Sequence, residues 1–426
     1  MVGTMRTRAE VFGAWVRVDD ATLIAVNQRA ARRLGIEGGA LWEVGEEAGR
    51  PAAEQDALVE AVRGIPAPLE VHLAVTARCG AGCSGCYLDA TPDGAVPAFE
   101  VLAERLRAIA EAGAFTVAFG GGEPLSRSDL GALGRLAREL GLTPVVTTSG
   151  IGMSRARAEE LRAFAQVNVS YDGEREAYAA VRGFDGAAVA ERAMKMLREA
   201  GVAFGVNVVL TRQSVDVLER TLARAAALGA VEAQLLRYKP AGRAQHAGYL
   251  EARLTEAQVA GLGPRIERLV VEGVGAPAVS MGIRIDCALV PLLSGGALDP
   301  ERLARFGVLG CEAGRHLAAV GVGGAVAPCS FAPSSQAVAE EAWGRGGAGV
   351  GEATLASWRR RMAAEPCASC ALQEVCRGGC RVVAMHLTGA LGPDPECPRV
   401  QAFQRGERGS AAQRSAPVGR RLEVLR

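Results

Sequence analysis

From Leu69 to about Ile285, short apolar or β-branched runs alternate with longer amphipathic segments rich in Ala, Leu and Arg. The runs Glu70 to Val75, Phe115 to Phe119, Pro144 to Thr147, Gln166 to Ser170, Ala203 to Val209 and Val231 to Leu236 have strand length and strand composition. Around them, apolar positions recurring at helical spacing predict helices over Ala98 to Ala112, Ser128 to Leu140, Arg155 to Phe164, Ala187 to Ala200, Val215 to Leu228 and Thr255 to Glu272. Parallel neighbours need a crossover long enough to return the chain, so strands separated by helices imply βαβ units and a parallel sheet. The pattern predicts an α/β fold, a partial (β/α)6 TIM-like barrel, with chemistry at the carboxyl ends of its strands.

The alternation is confined to residues 67–285. Residues 1–66 read as a small α/β module, with apolar stretches near Val11 to Val18 and Leu23 to Val26, a helical run from Arg29 to Leu34, and a Pro66-Ala67-Pro68 stretch that closes it. Residues 286–400 are Gly- and Cys-rich with long loops, the pattern of a small domain held by metal clusters. Residues 401–426 are arginine-rich with little apolar content and read as a flexible tail.

Composition narrows the function classes. The chain has 426 residues, 49% of them hydrophobic, enough for one large barrel plus smaller units. A formal net charge of +1 argues against a protein that holds nucleic acid by neutralising phosphates, and favours a peptide or small-molecule partner. The amino terminus lacks the apolar core of a signal peptide and no apolar run reaches the roughly 18 residues of a membrane span, so a cytoplasmic protein is expected. A reducing cytosol turns eleven cysteines into candidate metal ligands or catalysts rather than disulfides.

The loop after the first strand reads ARCGAGCSGCYLDA and places Cys79, Cys83 and Cys86 at CxxxCxxC spacing. Three thiolates on one strand-end loop can hold three irons of a 4Fe–4S cluster and leave the fourth open to a substrate. Zinc would want a fourth protein ligand nearby, and none of the four histidines falls in that loop. This loop resembles the signature of the radical S-adenosylmethionine (SAM) superfamily. The resemblance implies that SAM chelates the open iron, and that the reduced cluster cleaves the sulfonium to methionine and a 5′-deoxyadenosyl radical.

Further positions fit the same resemblance. Gly120-Gly121-Gly122-Glu123-Pro124 follows the second strand, and side-chain-free glycines let backbone carbonyls approach the SAM amino group. Thr148, Ser170, Asp172 and Asn207, at the ends of the third to fifth strands, resemble positions that line SAM. One position departs from the family pattern. The residue before the third cysteine is usually aromatic and touches adenine, but here it is Gly85, and Tyr87 becomes the candidate for a different contact.

A second set, Cys311, Cys329, Cys367, Cys370, Cys376, Cys380 and Cys397, resembles the seven-cysteine pattern of the SPASM domain, which follows the barrel in a radical SAM subgroup and usually holds two auxiliary clusters. By that pattern Cys367, Cys370, Cys376 and Cys397 would ligate the distal cluster. Cys311, Cys329 and Cys380 would ligate the one nearer the barrel, with Cys287 the candidate for its missing ligand.

The resemblance implies hydrogen abstraction from a ribosomally made peptide or protein, followed by a thioether, ether or carbon–carbon cross-link, with a reductant such as flavodoxin or ferredoxin as a partner. Arg237, Lys239 and Arg243, at the end of the sixth strand, are candidates to hold a peptide carboxylate. The alternative enzyme reading is the anaerobic sulfatase-maturing type, which oxidises serine or cysteine to formylglycine. That type places an aspartate base just after the cysteine aligned with Cys329, where this chain has Ser330 and Phe331, leaving Asp286 or Asp172 as a candidate base. A third reading of another class is a metal-binding or electron-transfer protein without radical chemistry.

Overall fold

In the computed structural model the described residues are 68–246, 248–272, 281–295, 309–338, 352–360 and 362–406, with the backbone of three short strands nearer the amino terminus. Those three, β1 (Thr7–Glu10), β2 (Gly13–Arg17) and β3 (Leu23–Asn27), form an antiparallel sheet in the order β1-β2-β3. The helical run expected near Arg29 and almost all of the arginine-rich tail lie outside the described residues.

The six strands of the alternating region are β4 (Glu70–Thr76), β5 (Thr116–Gly121), β6 (Thr143–Thr148), β7 (Gln166–Ser170), β8 (Phe204–Leu210) and β9 (Glu232–Arg237). All neighbours pair in parallel, in chain order. Helices Phe99–Ala112, Leu130–Glu139, Arg155–Glu160, Ala187–Glu199, Leu218–Leu228 and Glu256–Glu272 correspond to the predicted ones. The fold is the mixed α/β, TIM-like partial barrel that the pattern implies.

The sheet runs on beyond these six strands. β10 (Gly282–Ile285) adds in parallel beside β9, while β11 (Leu317–Val320) adds in parallel beside β4 and pairs antiparallel with β12 (Val326–Ala327). The resulting order is β10-β9-β8-β7-β6-β5-β4-β11-β12. A stretch expected to form a separate cysteine-rich unit therefore supplies two strands to the barrel sheet. An additional α-helix of eight residues, Arg175–Arg182, was not predicted; it follows Gly173 and Glu174 at the end of β7.

Strand alternation explains where the cavity comes from. Val71, Leu73 and Val75, with Val117, Phe119, Val167, Val169, Val206 and Val208, are almost wholly buried and pack with Leu102, Leu106 and Ile109 of the first helix and with the helices that follow. The intervening positions point inward and are polar or small: His72, Thr116, Ala118, Thr147, Asn168, Ser170 and Asn207 all line one interior cavity of about 1590 Å³. Val145, Val209 and Leu236 also line it, too few large aliphatic side chains to fill the interior in layers. Among the described residues no helix is long and apolar enough to cross a membrane.

Candidate active site

The CxxxCxxC loop leaves β4 at Thr76 and is fixed from two sides. Gly122 N–H donates to the Thr76 carbonyl at 2.6 Å and Glu123 N–H to the Arg78 carbonyl at 2.8 Å. A Cβ at Gly121 or Gly122 would lie 2.3 Å from those same carbonyl oxygens, and Gly121 has φ +119°, so the glycine run is required by this close approach of two strand-end loops. From the opposite side, Arg243 N–H donates to the Cys86 carbonyl at 2.9 Å, and its guanidinium donates to the carbonyls of Cys83 at 2.9 Å and Ala90 at 3.2 Å.

Glu123 is a buried hub. Its carboxylate accepts from Thr148 Oγ1 at 2.6 Å, Ser149 N–H at 2.8 Å, Ser149 Oγ at 2.5 Å and Leu125 N–H at 3.0 Å, tying the ends of β5 and β6 together. Burial pushes its carboxyl above the ordinary range, against the pull of those donors.

Cys79, Cys83, Cys86, Tyr87, Gly121, Gly122, Glu123, Thr148, Ser170 and Asn207 all line the cavity. Asn207 Oδ1 is buried without a hydrogen-bond partner, an acceptor aimed at something the protein alone does not provide. Two candidates do not reach the wall. Pro124 is buried at the start of a 3-10 turn. Asp172 is fully buried, with Oδ1 accepting from Val209 N–H at 2.7 Å and Oδ2 from Arg182 Nε at 2.5 Å. Asp172 thus orients Arg182, which does line the cavity and sits beside Cys83. Burial pushes the Cys83 thiol up and the Arg182 charge opposes it, which favours a thiolate ligand.

The space over Gly85 is taken. A Cβ there would lie 2.5 Å from Tyr238 Oη, and Tyr238 is stacked on Tyr249 with ring centroids 6.0 Å apart. Tyr87 is engaged elsewhere, with its ring 4.7 Å from that of Phe331. The aromatic group beside the third cysteine therefore comes from the end of β9, and it was not identified from the sequence because the two positions are far apart in the chain.

Of the three cations at the end of β9, Arg237 and Lys239 line the cavity with their charges already engaged by acidic side chains, and Arg243 is turned to the cysteine loop. Arg237 bonds Asp394 through both terminal nitrogens at 2.6 and 3.1 Å, and Glu396 at 2.8 Å. Lys239 Nζ lies 2.5 Å from Asp286 Oδ2 and 4.2 Å from the Phe331 ring centroid. Arg243 holds the cysteine loop as described. Each was read as a free charge because its acidic or carbonyl partner is remote in sequence. Asp286, a candidate base, is correspondingly committed to Lys239 and accepts from Arg237 N–H at 3.2 Å.

The remaining cysteines fall into two groups. Cys287, Cys311, Cys329 and Cys380 lie close enough to feel one another's charge. So do Cys367, Cys370, Cys376 and Cys397. Burial is the main cause that pushes Cys329 and Cys367 up to about 12 and Cys380 to about 11. Thiols such as Cys329, Cys367 and Cys380, pushed up by burial, ionise readily only when cations join them, which fits thiolate-ligated iron. Cys329 also lines the cavity, so the first of these groups reaches the chamber that holds the CxxxCxxC loop.

Comparison with known proteins gives a consistent picture. Residues 73–225 match the Radical SAM superfamily. The mycofactocin maturase MftC of Mycolicibacterium smegmatis is 28% identical over 358 residues, 79% of this chain and 84% of that protein. The PqqA peptide cyclase of Rhodopseudomonas palustris is 29% identical over 349 residues, 78% of this chain and 86% of that protein. Streptococcus suis SuiB bound to S-adenosylmethionine shares the fold with TM-score 0.63 at 17% identity, over 93% of this chain and 99% of that one. The enzyme anSMEcpe with bound AdoMet shares it with TM-score 0.57 at 18% identity, over 79% and 98%.

Proposed function

The chain belongs to the radical SAM superfamily, and we propose that it acts on a ribosomally made precursor peptide, abstracting a hydrogen atom and joining two side chains by a thioether, ether or carbon–carbon bond. The family brings a 4Fe–4S cluster and SAM, whose reductive cleavage supplies a 5′-deoxyadenosyl radical when both are bound. Cys79, Cys83 and Cys86 would ligate that cluster. Asn207, Thr148 and Ser170 would meet the cofactor's polar groups, and Tyr238 its adenine.

The observation that carries the oxidative part of this reading is that Cys329 shares the cavity with the radical loop. A 4Fe–4S cluster on Cys287, Cys311, Cys329 and Cys380 would border the substrate chamber, and one on Cys367, Cys370, Cys376 and Cys397 would extend the route outward toward a protein reductant or oxidant such as flavodoxin or ferredoxin. Peptide maturation is supported by the MftC and PqqA cyclase relatives. A cavity of about 1590 Å³ exceeds the usual size of a small-ligand pocket and leaves room for a peptide side chain beside SAM.

The test is to incubate the cluster-loaded enzyme, SAM and dithionite with candidate short precursor peptides encoded near its gene. A loss of two hydrogens from the peptide, localised by fragmentation to two side chains, is the expected result; an unchanged peptide mass despite 5′-deoxyadenosine formation contradicts it. Tyr238→Ala should weaken equilibrium SAM binding by about 1–3 kcal/mol, the usual value of stacking a base on an aromatic ring. An unchanged Kd in that variant would place adenine elsewhere.

A further inference from the structure

The cavity holds one hydrogen-bonded chain of side chains that none of the roles above uses. Ser330 Oγ lies 2.5 Å from His72 Nδ1, and His72 Nε2 lies 2.8 Å from Glu70 Oε1. All three residues line the cavity. His72 and Glu70 project inward from the same face of β4, two residues apart. Ser330 is brought to them by β11, which lies along β4 with Ala319 level with His72, and by β12, which pairs with β11.

We propose that Ser330, His72 and Glu70 form a proton relay that takes up the proton the peptide loses as its new bond forms. The inference rests on the cross-linking reading above. Joining R–H to X–H as R–X removes two hydrogens. One leaves R–H as a hydrogen atom and ends in 5′-deoxyadenosine. The other leaves X–H as a proton, while the surplus electron passes to an auxiliary iron–sulfur cluster as oxidant. That proton needs a base inside the chamber.

Of the other carboxylates lining the cavity, Asp89 is solvent-exposed and the two buried ones are engaged. Glu123 is saturated by its donors and Asp286 is paired with Lys239. Among the described residues His72 is the only histidine lining the cavity. Burial works against the Glu70 charge, but the hydrogen bond from His72 and the nearby Arg284 guanidinium favour the anion. An anion accepts only, so Nε2 carries a ring hydrogen, and the relay requires Nδ1 to be the unprotonated nitrogen that accepts from the Ser330 hydroxyl.

The relay then runs in one direction. Ser330 passes its hydroxyl proton to Nδ1 while taking the proton of X–H, and the imidazolium is stabilised by Glu70. The other charges around the chain are Arg284 of β10 and Glu232 of β9, paired with each other at 3.3 Å, and the strands flanking His72 present only Ala118 and Ala319 at its level. Ser330 is well placed to meet substrate: it stands between Cys329 and Phe331, and Phe331 packs against Tyr87, next to Cys86.

Two measurements decide the proposal. In cluster-loaded enzyme labelled with ¹⁵N-histidine, with His72 assigned by its loss in His72→Gln, His72 should be neutral with Nδ1 unprotonated at the pH of activity, and Ser330→Ala should shift the Nδ1 resonance. A doubly protonated His72 throughout that range overturns the relay. With a peptide that the wild type cross-links, Ser330→Ala and His72→Gln should lower cross-linked product per 5′-deoxyadenosine by about 10²-fold, at the low end of what a positioned base contributes, and Ser330→Thr should restore it. An unchanged ratio in both variants, a failed rescue, or an equal fall in both products overturns it. If the wild type leaves the peptide untouched, the cross-linking reading fails instead, and the tautomer measurement still judges the hydrogen-bonded chain.

Discussion

Replacing Cys79, Cys83 and Cys86 together with alanine should reduce 5′-deoxyadenosine formation to the background of reductant and SAM alone, while the absorbance of the clusters on the other cysteines persists. The three thiols share one strand-end loop, and Cys79 is close enough to Cys83 and Cys86 to feel their charge. The loop's backbone is held by Gly122, Glu123 and Arg243, not by the sulfurs, so their loss should leave the fold standing. The remaining eight cysteines lie in two other groups, which makes cluster content separable by iron analysis. Persistent SAM cleavage in the triple variant would mean that the radical centre lies elsewhere in the chain.

A comparably large effect, on stability, is expected at Arg237. Its guanidinium is buried between two carboxylates, bidentate to Asp394 and singly bonded to Glu396, with a further bond to the Ala288 carbonyl at 3.0 Å. Burial opposes its charge, but Asp394 and Glu396 raise its pKa well above the ordinary arginine value. Asp394 in turn accepts from Cys380 N–H at 2.9 Å, and Glu396 accepts from Tyr249 Oη at 2.9 Å and Arg253 at 2.7 Å. The barrel strand β9 is thereby clamped to the segment that carries Cys380 and Cys397. Arg237→Ala leaves a fully buried Asp394 unpaired and should cost about 3–5 kcal/mol. Thermal unfolding should register this, with loss of iron from the clamped groups, and Arg237→Lys should recover only part because it cannot form the bidentate pair. A variant with wild-type melting temperature and iron content would show that the clamp carries no weight.

Much of this molecule was legible from its sequence because its information is local. A strand of the barrel shows itself as a short β-branched run between amphipathic segments, so each of the six was placed within two residues of its bounds. The cysteine loop and the GGEP run are likewise contiguous. What escaped is non-local or short. β10 to β12 have two to four residues each, too few for a periodic signal. Tyr238 occupies the place left by Gly85 across more than a hundred residues of chain, and no pattern near Gly85 announces it. Arg237, Lys239 and Arg243 looked like substrate-facing charges for the same reason, since Asp394, Asp286 and the Cys83 carbonyl become their partners only on folding. Asp172, read as a SAM contact, has its charge used by Arg182, which lies in the helix that the sequence did not disclose. Ser330 was noticed as the residue in place of an aspartate, but its link to His72 spans 258 positions and needed the β11–β4 pairing to appear.

The central claim is that this chain generates a deoxyadenosyl radical on a cluster held by Cys79, Cys83 and Cys86. Its most direct test is chromatographic detection of 5′-deoxyadenosine from SAM after anaerobic reconstitution with iron and sulfide and reduction with dithionite. The account predicts time-dependent 5′-deoxyadenosine and methionine in equal amounts from iron-loaded protein. Fully iron-loaded, reduced protein that leaves SAM intact would contradict it.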